Sequence, residues 1–284
     1  MTVLGLLQTT TAYFAKRKIE TARLNAEHLL AHALNCKRLE LYLQFERVLT
    51  EDELAPLREL VRRRGQGEPL QHLLGTVEFC GHTFLCDRRA LVPRPETEQL
   101  TEMLIAECGK RLSGSERNVE RILDVGTGSG VIALSLAARF SDSDVVATDV
   151  SEEALALAHE NATRLGIDRV RFVRSDLLQN VEGKFDLLVA NLPYIAIGER
   201  SALSREVLHD PEIALFAGEK GDELMRALID AAPNYLQANG LLALEMGINQ
   251  HEALTALLSE KNFHDITTKK DYAGVTRFLL ARYG

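Results

Sequence analysis

From Arg121 to the C-terminus, short apolar segments alternate with longer amphipathic ones, and this alternation constrains the fold more than any other feature. The longer segments, such as SEEALALAHENATRLG, repeat apolar residues at intervals of three and four, which is typical of helices packed on one face. Short hydrophobic strands separated by such helices predict an α/β domain with a doubly wound, mostly parallel sheet covered on both faces. The seven candidate strands are RILDV, DVVATDV, RVRFVRSD, FDLLVAN, GLLALEMG, DITTKKD and TRFLLARY.

The segment before this domain has a helical pattern. It contains four stretches with apolar residues at helical spacing, and Thr50 with Glu53 forms a capping box at the start of the fourth. After residue 75 the pattern changes to that of short strands. The predicted parts are a small N-terminal helical bundle at 1–75, a β-hairpin linker at 76–95 and the α/β domain at 96–284.

Two connecting segments are recognisable from their turn residues. Within the linker, EFCGHTFLC predicts a hairpin that turns at Gly81-His82. Further on, the polar segment SGSERN, residues 113–118, predicts a loop between a helix and the first strand of the sheet.

Composition places the chain among globular proteins of a reducing compartment. Hydrophobic residues make up 46% and charged residues 26%, a balance that supports a buried core. No apolar stretch approaches the roughly 20 residues needed to cross a bilayer, and the N-terminus lacks the features of a signal peptide. The four cysteines have no C-x-x-C spacing, and the pair His28 and His32 has no third ligand nearby. We therefore expect a cytoplasmic, monomeric protein with no metal site and no membrane association.

The charge of the chain argues against a nucleic-acid-binding protein. The formal net charge is -8, whereas proteins that bind nucleic acid usually present a basic face. Residues 1–75 differ from the rest, because they hold 11 Lys or Arg against 9 Asp or Glu. We expect no stable nucleic-acid binding, and the N-terminal part could meet an acidic or RNA-bearing partner.

A glycine-rich loop, LDVGTGSG, follows the first strand of the predicted sheet and precedes a helix. Its glycines at 126, 128 and 130 let the backbone turn tightly and let a ligand approach main-chain N–H groups. The spacing G-x-G-x-G differs from the dinucleotide pattern G-x-G-x-x-G, and no lysine follows to make a phosphate loop. Asp124 could accept a hydrogen bond from an ammonium group, so the loop favours a zwitterionic ligand. The candidate cofactor residues of the loop are Gly126, Thr127, Gly128, Ser129 and Gly130.

Acidic residues end the next two strands. Asp149 ends VVATDV, where a carboxylate can accept hydrogen bonds from both ribose hydroxyls of a nucleoside. Asp176 ends the following strand, where it could accept from an adenine amino group beside the apolar Leu177. Ligands of open α/β sheets bind at the carboxyl ends of the strands. Together with the glycine loop, these residues predict a site for S-adenosylmethionine.

The motif NLPY, Asn191 to Tyr194, ends the fourth strand at the same edge of the sheet. An amide nitrogen is a poor nucleophile, and hydrogen bonds accepted from its two N–H groups orient it and favour the transition state. Asn191 can accept one through its side-chain oxygen, and the carbonyl of Leu192 can accept the other. Pro193 keeps Leu192 extended, and Tyr194 can stack on a planar amide. We predict that these four residues bind the substrate and that Asn191, Pro193 and Tyr194 are catalytic.

These motifs together resemble the HemK/PrmC family, the release factor glutamine methyltransferases, over nearly the whole chain. The resemblance rests on the helical N-terminal part and on LVPRPETEQL, DVGTGSG, TDVSEEAL, RSDLL, NLPY and LLALEMG. It implies methyl transfer from S-adenosylmethionine to the glutamine of the Gly-Gly-Gln motif in peptide chain release factors, with residues 1–75 recognising that substrate. It also implies that Asn191 contacts the cofactor as well as the glutamine. The usual second residue of this motif is proline, where this chain has Leu192.

Three other functions remain compatible with the residues. An N6-adenine methyltransferase of DNA or RNA needs the same acceptors and the same stacking tyrosine. Methylation of a glutamine in a ribosomal protein would use the same site. A methyltransferase fold without activity would bind a cofactor or a partner and turn nothing over.

Overall fold

The computed structural model of this chain describes residues 1–112 and 119–284, without the side chains of residues 110–112. The predicted loop at 113–118 therefore lies outside the described residues. By its internal contacts the chain divides into two compact units. The first is made of Met1–Thr76 with Ser204–His209, and the second of Val77–Leu203 with Asp210–Gly284.

The first unit is helical. Its predicted capping box is present, because the Thr50 N–H donates to Glu53 Oε2 over 3.0 Å at the start of the third α-helix. Buried apolar residues from each of its helices, among them Leu7, Leu30 and Leu57, form its core. The helices are α1 (Val3–Lys16), α2 (Ala22–Ala33), a 3-10 helix (Arg38–Leu43), α3 (Glu51–Gly65) and α4 (Leu70–Leu74).

Residues Ser204–His209 belong to this unit although the chain reaches them from the second one. Buried Arg64 on α3 binds Glu206 of this segment over 2.7 Å, and the same guanidinium donates to Asn25 Oδ1 over 2.7 Å. A buried guanidinium needs such partners, because an unpaired charge in the interior is costly. The ion pair therefore holds the segment in the helical unit.

The predicted hairpin is formed by β1 (Thr76–Phe79) and β2 (His82–Leu85). Its turn is at Cys80-Gly81, one residue earlier than we predict from Gly81-His82. Both residues have a positive φ, 47° at Cys80 and 76° at Gly81. Two successive positive φ values match the twist of a two-residue hairpin turn, so glycine takes the second turn position here.

The second unit contains the predicted seven-stranded, mostly parallel sheet. Its strand order is β5-β4-β3-β6-β7-β9-β8, and only β9 runs antiparallel to its neighbours. The strands are β3 (Arg121–Val125), β4 (Asp144–Asp149), β5 (Arg171–Arg174), β6 (Phe185–Asn191), β7 (Leu236–Glu245), β8 (Phe263–Lys270) and β9 (Thr276–Tyr283). The helices are α5 (Pro95–Leu112), α6 (Val131–Arg139), α7 (Glu152–Leu165), α8 (Glu223–Ala231) and α9 (His251–Glu260).

The central strands are buried on both faces, because helices cover each side of the sheet. Along β6, Leu187 joins one hydrophobic cluster and Leu188 the other, as the alternation of side chains along a strand requires. The first cluster includes residues of α5 and α6, and the second includes residues of α8 and α9. No helix in the described part of the chain is long and apolar enough to cross a membrane.

The strand order reverses at β3, which pairs with β4 on one side and with β6 on the other. The chain runs outward from β3 to β5 and then returns to place β6 beside β3. A crevice forms at such a switch point, at the carboxyl ends of the strands. The glycine loop, Asp149 and the NLPY motif all follow strands that meet there.

Candidate active site

A cavity of about 390 Å³ opens at the carboxyl ends of β3, β4, β5 and β6. Its volume is that of a small-molecule site, and all of its lining residues belong to the second unit. Most of the predicted site residues lie on its wall, but Gly130 and Tyr194 do not. The predicted residues that line it are Gly126, Thr127, Gly128, Ser129, Asp149, Asp176, Leu177, Asn191, Leu192 and Pro193.

The glycine loop needs glycine at its first and last positions. Gly126 has a φ of 76°, and a Cβ built on it would lie 2.8 Å from Leu192 Cδ2. Gly130 has a φ of 84°, and its Cβ would lie 3.1 Å from the Cβ of Ala158 on α7. A side chain at either position would combine a strained backbone with an overlap. Gly130 therefore packs the loop against α7 and leaves the cavity wall to its neighbours.

Asp124 supports the glycine loop from the interior of the protein. The residue is fully buried, and its Oδ2 accepts from Thr127 Oγ1 over 2.7 Å and from the Ala133 N–H over 3.2 Å. Burial raises the pKa of this carboxyl to about 7. Asp124 does not line the cavity, so its contacts assign it to the shape of the loop.

Asp149 joins the glycine loop to the start of α7. Its Oδ2 accepts from the Gly128 N–H and its Oδ1 from the Ser151 N–H, each over 2.9 Å. Burial raises the pKa of Asp149, and the hydrogen bonds from backbone N–H groups act in the opposite direction. A carboxylate oxygen can accept more than one hydrogen bond, so each oxygen can still receive a ribose hydroxyl.

The end of β5 contributes one polar and one apolar residue. Asp176 is exposed, and its side chain accepts from Gln179 Nε2 over 3.2 Å. Leu177 has a φ of 48° and packs against the hydrophobic cluster under the sheet. A left-handed backbone is rare for a bulky residue and is retained only where the surroundings impose it. It places Leu177 on the cavity wall, where an apolar ring can rest.

Asn191 has one end of its amide engaged and the other end free. Its Nδ2 donates to Thr97 Oγ1 over 2.9 Å, and Thr97 Oγ1 donates to Glu245 Oε2 over 2.8 Å. In the described part of the chain, Asn191 Oδ1 and the Leu192 carbonyl accept no hydrogen bond from the protein. Both residues line the cavity. Two acceptors are thus available side by side at the end of β6.

Leu192 packs over the glycine loop, which explains how the chain uses a leucine at this position. It is 5% exposed and belongs to the hydrophobic cluster under the sheet. The Leu192 side chain also lies against the space that a side chain at Gly126 would need.

We expect Leu192→Pro to change methyl transfer by less than about tenfold, because the carbonyl at 192 and Pro193 both remain. The smaller proline ring loses buried contacts, so we expect a loss of about 1–3 kcal/mol in unfolding free energy. Leu192→Ala is the matched control, because it removes the same contacts without fixing φ. A rate loss far above tenfold in Leu192→Pro alone, at full folding, would contradict this account.

Tyr194 does not line the cavity. It is half-buried beside the hydrophobic cluster, and the guanidinium carbon of Arg277 lies 6.0 Å from the centre of its ring. Burial raises the pKa of the Tyr194 hydroxyl to about 12, so the phenol stays protonated at neutral pH. Gln250 Nε2 donates to the Tyr194 carbonyl over 3.1 Å and fixes the backbone there. Stacking of Tyr194 on a substrate amide stays a prediction.

Two further segments complete the wall. Arg94, from the segment before α5, lines the cavity and pairs with Asp210 over 2.5 Å. Phe216 lines it as well, and its neighbours Leu215 and Ala217 bond to the backbone of Ile195. The connection between β6 and α8 is long, and long connections in compact domains are often functional, which is the one sequence signal for Phe216.

Among the described residues, no group of three or more His, Cys, Asp or Glu side chains could hold a metal ion. The polar side chains that line the cavity are the carboxylates Asp149 and Asp176, the guanidinium groups of Arg89 and Arg94, the Asn191 amide and several hydroxyl groups.

Two family models match separate parts of the chain. Residues 5–75 match the PrmC N-terminal domain, and residues 97–218 match the methyltransferase small domain. The second match contains the glycine loop, both strand-end aspartates and the NLPY motif.

The chain is also similar to whole proteins. It is 42% identical to the release factor glutamine methyltransferase of Chlorobaculum tepidum, over 98% of this chain and 96% of that protein. It is 38% identical to the release factor glutamine methyltransferase of Geobacter sulfurreducens, over 100% of this chain and 97% of that protein. Among solved structures, the ribosomal protein L11 methylase of Lactobacillus delbrueckii subsp. bulgaricus matches with a TM-score of 0.51 at 23% identity, covering 70% of this chain and 84% of that one. This last likeness shows the fold alone.

Proposed function

Because the chain belongs to the release factor glutamine methyltransferase family, we propose that it methylates the side-chain amide nitrogen, N5, of the glutamine in the Gly-Gly-Gln motif of peptide chain release factors. The methyl donor in this proposal is S-adenosylmethionine. The observation that carries it is the pair of unpartnered acceptors, Asn191 Oδ1 and the Leu192 carbonyl, on the wall of the cavity.

The residues around the cavity fit this cofactor. The loop lines the cavity with Gly126 and Gly128, which let a ligand approach the backbone, and it contains no lysine to bind a phosphate. Asp149 offers partly buried carboxylate oxygens for a ribose, and Leu177 offers an apolar surface for a base. When bound, the cofactor supplies an electrophilic methyl group on a sulfonium ion. The positive charge of the sulfonium suits the two carboxylates on the wall, Asp149 and Asp176.

The two acceptors prepare a primary amide for methylation. Each N–H of the glutamine side chain can donate to one of them, which fixes the nitrogen at the cavity and draws electron density toward it. The nitrogen can lose a proton to water after it has become cationic, so no strong base is required beforehand. Neither acceptor can bind a group that lacks an N–H or O–H donor.

The helical unit has its own part in the proposal. Residues 5–75 match the PrmC N-terminal domain, and in residues 1–75 basic residues outnumber acidic ones, 11 to 9. We assign recognition of the release factor to this unit. The proposal describes a cytoplasmic monomer that holds no nucleic acid.

Parallel labelling reactions test the function. Purified protein is incubated with methyl-labelled S-adenosylmethionine and, separately, with release factor, ribosomal proteins, RNA and DNA. We expect label in the release factor alone. Label in nucleic acid would support an adenine methyltransferase, and label in a ribosomal protein would make that protein the substrate. Binding of cofactor without any transfer would indicate a binding module.

A further inference from the structure

Three side chains from three different elements form a continuous hydrogen-bonded chain behind the substrate position. Asn191 ends β6, Thr97 lies in the first turn of α5, and Glu245 ends β7. Asn191 Nδ2 donates to Thr97 Oγ1 over 2.9 Å, and Thr97 Oγ1 donates to Glu245 Oε2 over 2.8 Å. Thr97 is 4% exposed and Glu245 is 2% exposed, so water does not compete for these bonds.

The carboxylate at the buried end of this chain sets the direction of every bond in it. An ionised Glu245 accepts hydrogen bonds and donates none, so the Thr97 hydroxyl must give it the only hydrogen that it has. Thr97 Oγ1 is then left with lone pairs toward Asn191, and only the NH2 end of that amide can satisfy them. The reversed amide would set its oxygen against the lone pairs of Thr97.

We propose that Thr97 and Glu245 are positioning residues that hold the Asn191 amide with its oxygen toward the substrate. The consequence is a preference for a substrate group that donates, such as the NH2 of glutamine, over one that only accepts, such as a carboxylate. This inference rests on the proposed role of Asn191. It adds that Glu245, which acts on Asn191 through Thr97, determines whether the site prefers a hydrogen-bond donor or an acceptor.

The surroundings of Glu245 make the orientation of the Asn191 amide sensitive to pH. Burial, together with the charge of Glu96, raises the pKa of Glu245 to about 7, while the hydrogen bond from Thr97 and the charges of Arg277 and Arg94 oppose the shift. Tyr194 also faces it and stays neutral, because burial raises its pKa to about 12. A protonated Glu245 could donate to Thr97, and the hydrogen bonds would then no longer fix the orientation of the Asn191 amide. The rate of methyl transfer is therefore expected to fall as the pH drops through about 7.

The first test removes the middle of the chain. Thr97→Val keeps the shape but leaves Asn191 Nδ2 without its acceptor, so we expect kcat for release factor methylation to fall about tenfold. The Kd for S-adenosylmethionine is expected to stay within about twofold. Thr97→Ser keeps the hydroxyl and should restore most of the rate.

Thr101→Val is the matched control. Thr101 lies one turn further along α5, is equally buried, and donates only to the Thr97 carbonyl, over 2.9 Å. The control loses a buried hydroxyl from the same helix without touching Asn191, and we expect it to keep the kcat of the parent. A kcat loss as large in Thr101→Val as in Thr97→Val would mean that the effect is structural and would overturn the inference.

The second test follows the carboxylate itself. The parent protein should show an acid limb near pH 7 in kcat, and Glu245→Gln, which can still accept from Thr97 through its oxygen, should be active without that limb. A limb that persists unchanged in Glu245→Gln would overturn the role of Glu245.

If Asn191→Ala is inactive while Thr97→Val is fully active, the inference fails and the proposed function stands. If Asn191→Ala is fully active, the proposed role of Asn191 itself fails.

Discussion

Asn191→Ala is expected to lower kcat for release factor methylation by about 100- to 1000-fold, the range found when one electrostatic contact to a transition state is removed. The substitution deletes the side-chain oxygen at the end of β6 and leaves the Leu192 carbonyl without its neighbouring acceptor. Cofactor binding should change far less, because the glycine loop and Asp149 remain. Single-turnover rates and calorimetric titration of S-adenosylmethionine measure the two quantities separately.

Asn234→Ala serves as the control for this substitution. Asn234 is exposed, lies in a short 3-10 helix before β7, and does not line the cavity. It should leave both the rate and the affinity at the values of the parent. Equal losses of rate and of cofactor affinity in Asn191→Ala would count against an amide-holding role and in favour of a cofactor contact alone.

Asp149→Asn is expected to weaken S-adenosylmethionine binding by about 10- to 100-fold, although the two side chains have the same shape. The carboxylate accepts from the Gly128 N–H through one oxygen and from the Ser151 N–H through the other, each over 2.9 Å. An asparagine has only one oxygen, so its NH2 group must face one of these donors. Losing a hydrogen bond to a charged group costs about 1.5–3 kcal/mol, which corresponds to that range of affinity.

Calorimetric titration of the cofactor measures this loss, and Asp168→Asn is its control. Asp168 is an exposed carboxylate on the loop before β5, and the same exchange there should leave the affinity unchanged. Unchanged affinity in Asp149→Asn would remove Asp149 both from the support of the glycine loop and from the ribose site.

The architecture of the second unit could be predicted because its signal is local and repeated. Seven apolar segments separated by amphipathic ones predict the seven strands, and the positions of the strands follow the segments closely. The predicted hairpin turn lies one residue too far along the chain, since the sequence does not reveal that Cys80 adopts a positive φ. A residue that accepts backbone strain gives no signal in composition or periodicity.

The residues of the site likewise include some that the sequence could predict and some that it could not. The glycine loop, Asp149 and Asn191 could be placed because each directly follows a strand, and the carboxyl ends of parallel strands meet at one edge. Thr97, Glu245 and Phe216 could not, because their proximity depends on pairing and packing between segments far apart in the chain. Glu245 lies beside Asn191 in the register of β6 and β7, and this register is invisible until the sheet is assembled.

The most direct test is to map the methyl group on a release factor after incubation with this protein and S-adenosylmethionine. The account predicts one methyl group on the side-chain nitrogen of the Gly-Gly-Gln glutamine, and none on a release factor in which glutamate replaces that glutamine. Transfer to any other residue, or equal transfer to the glutamate-containing release factor, would contradict it.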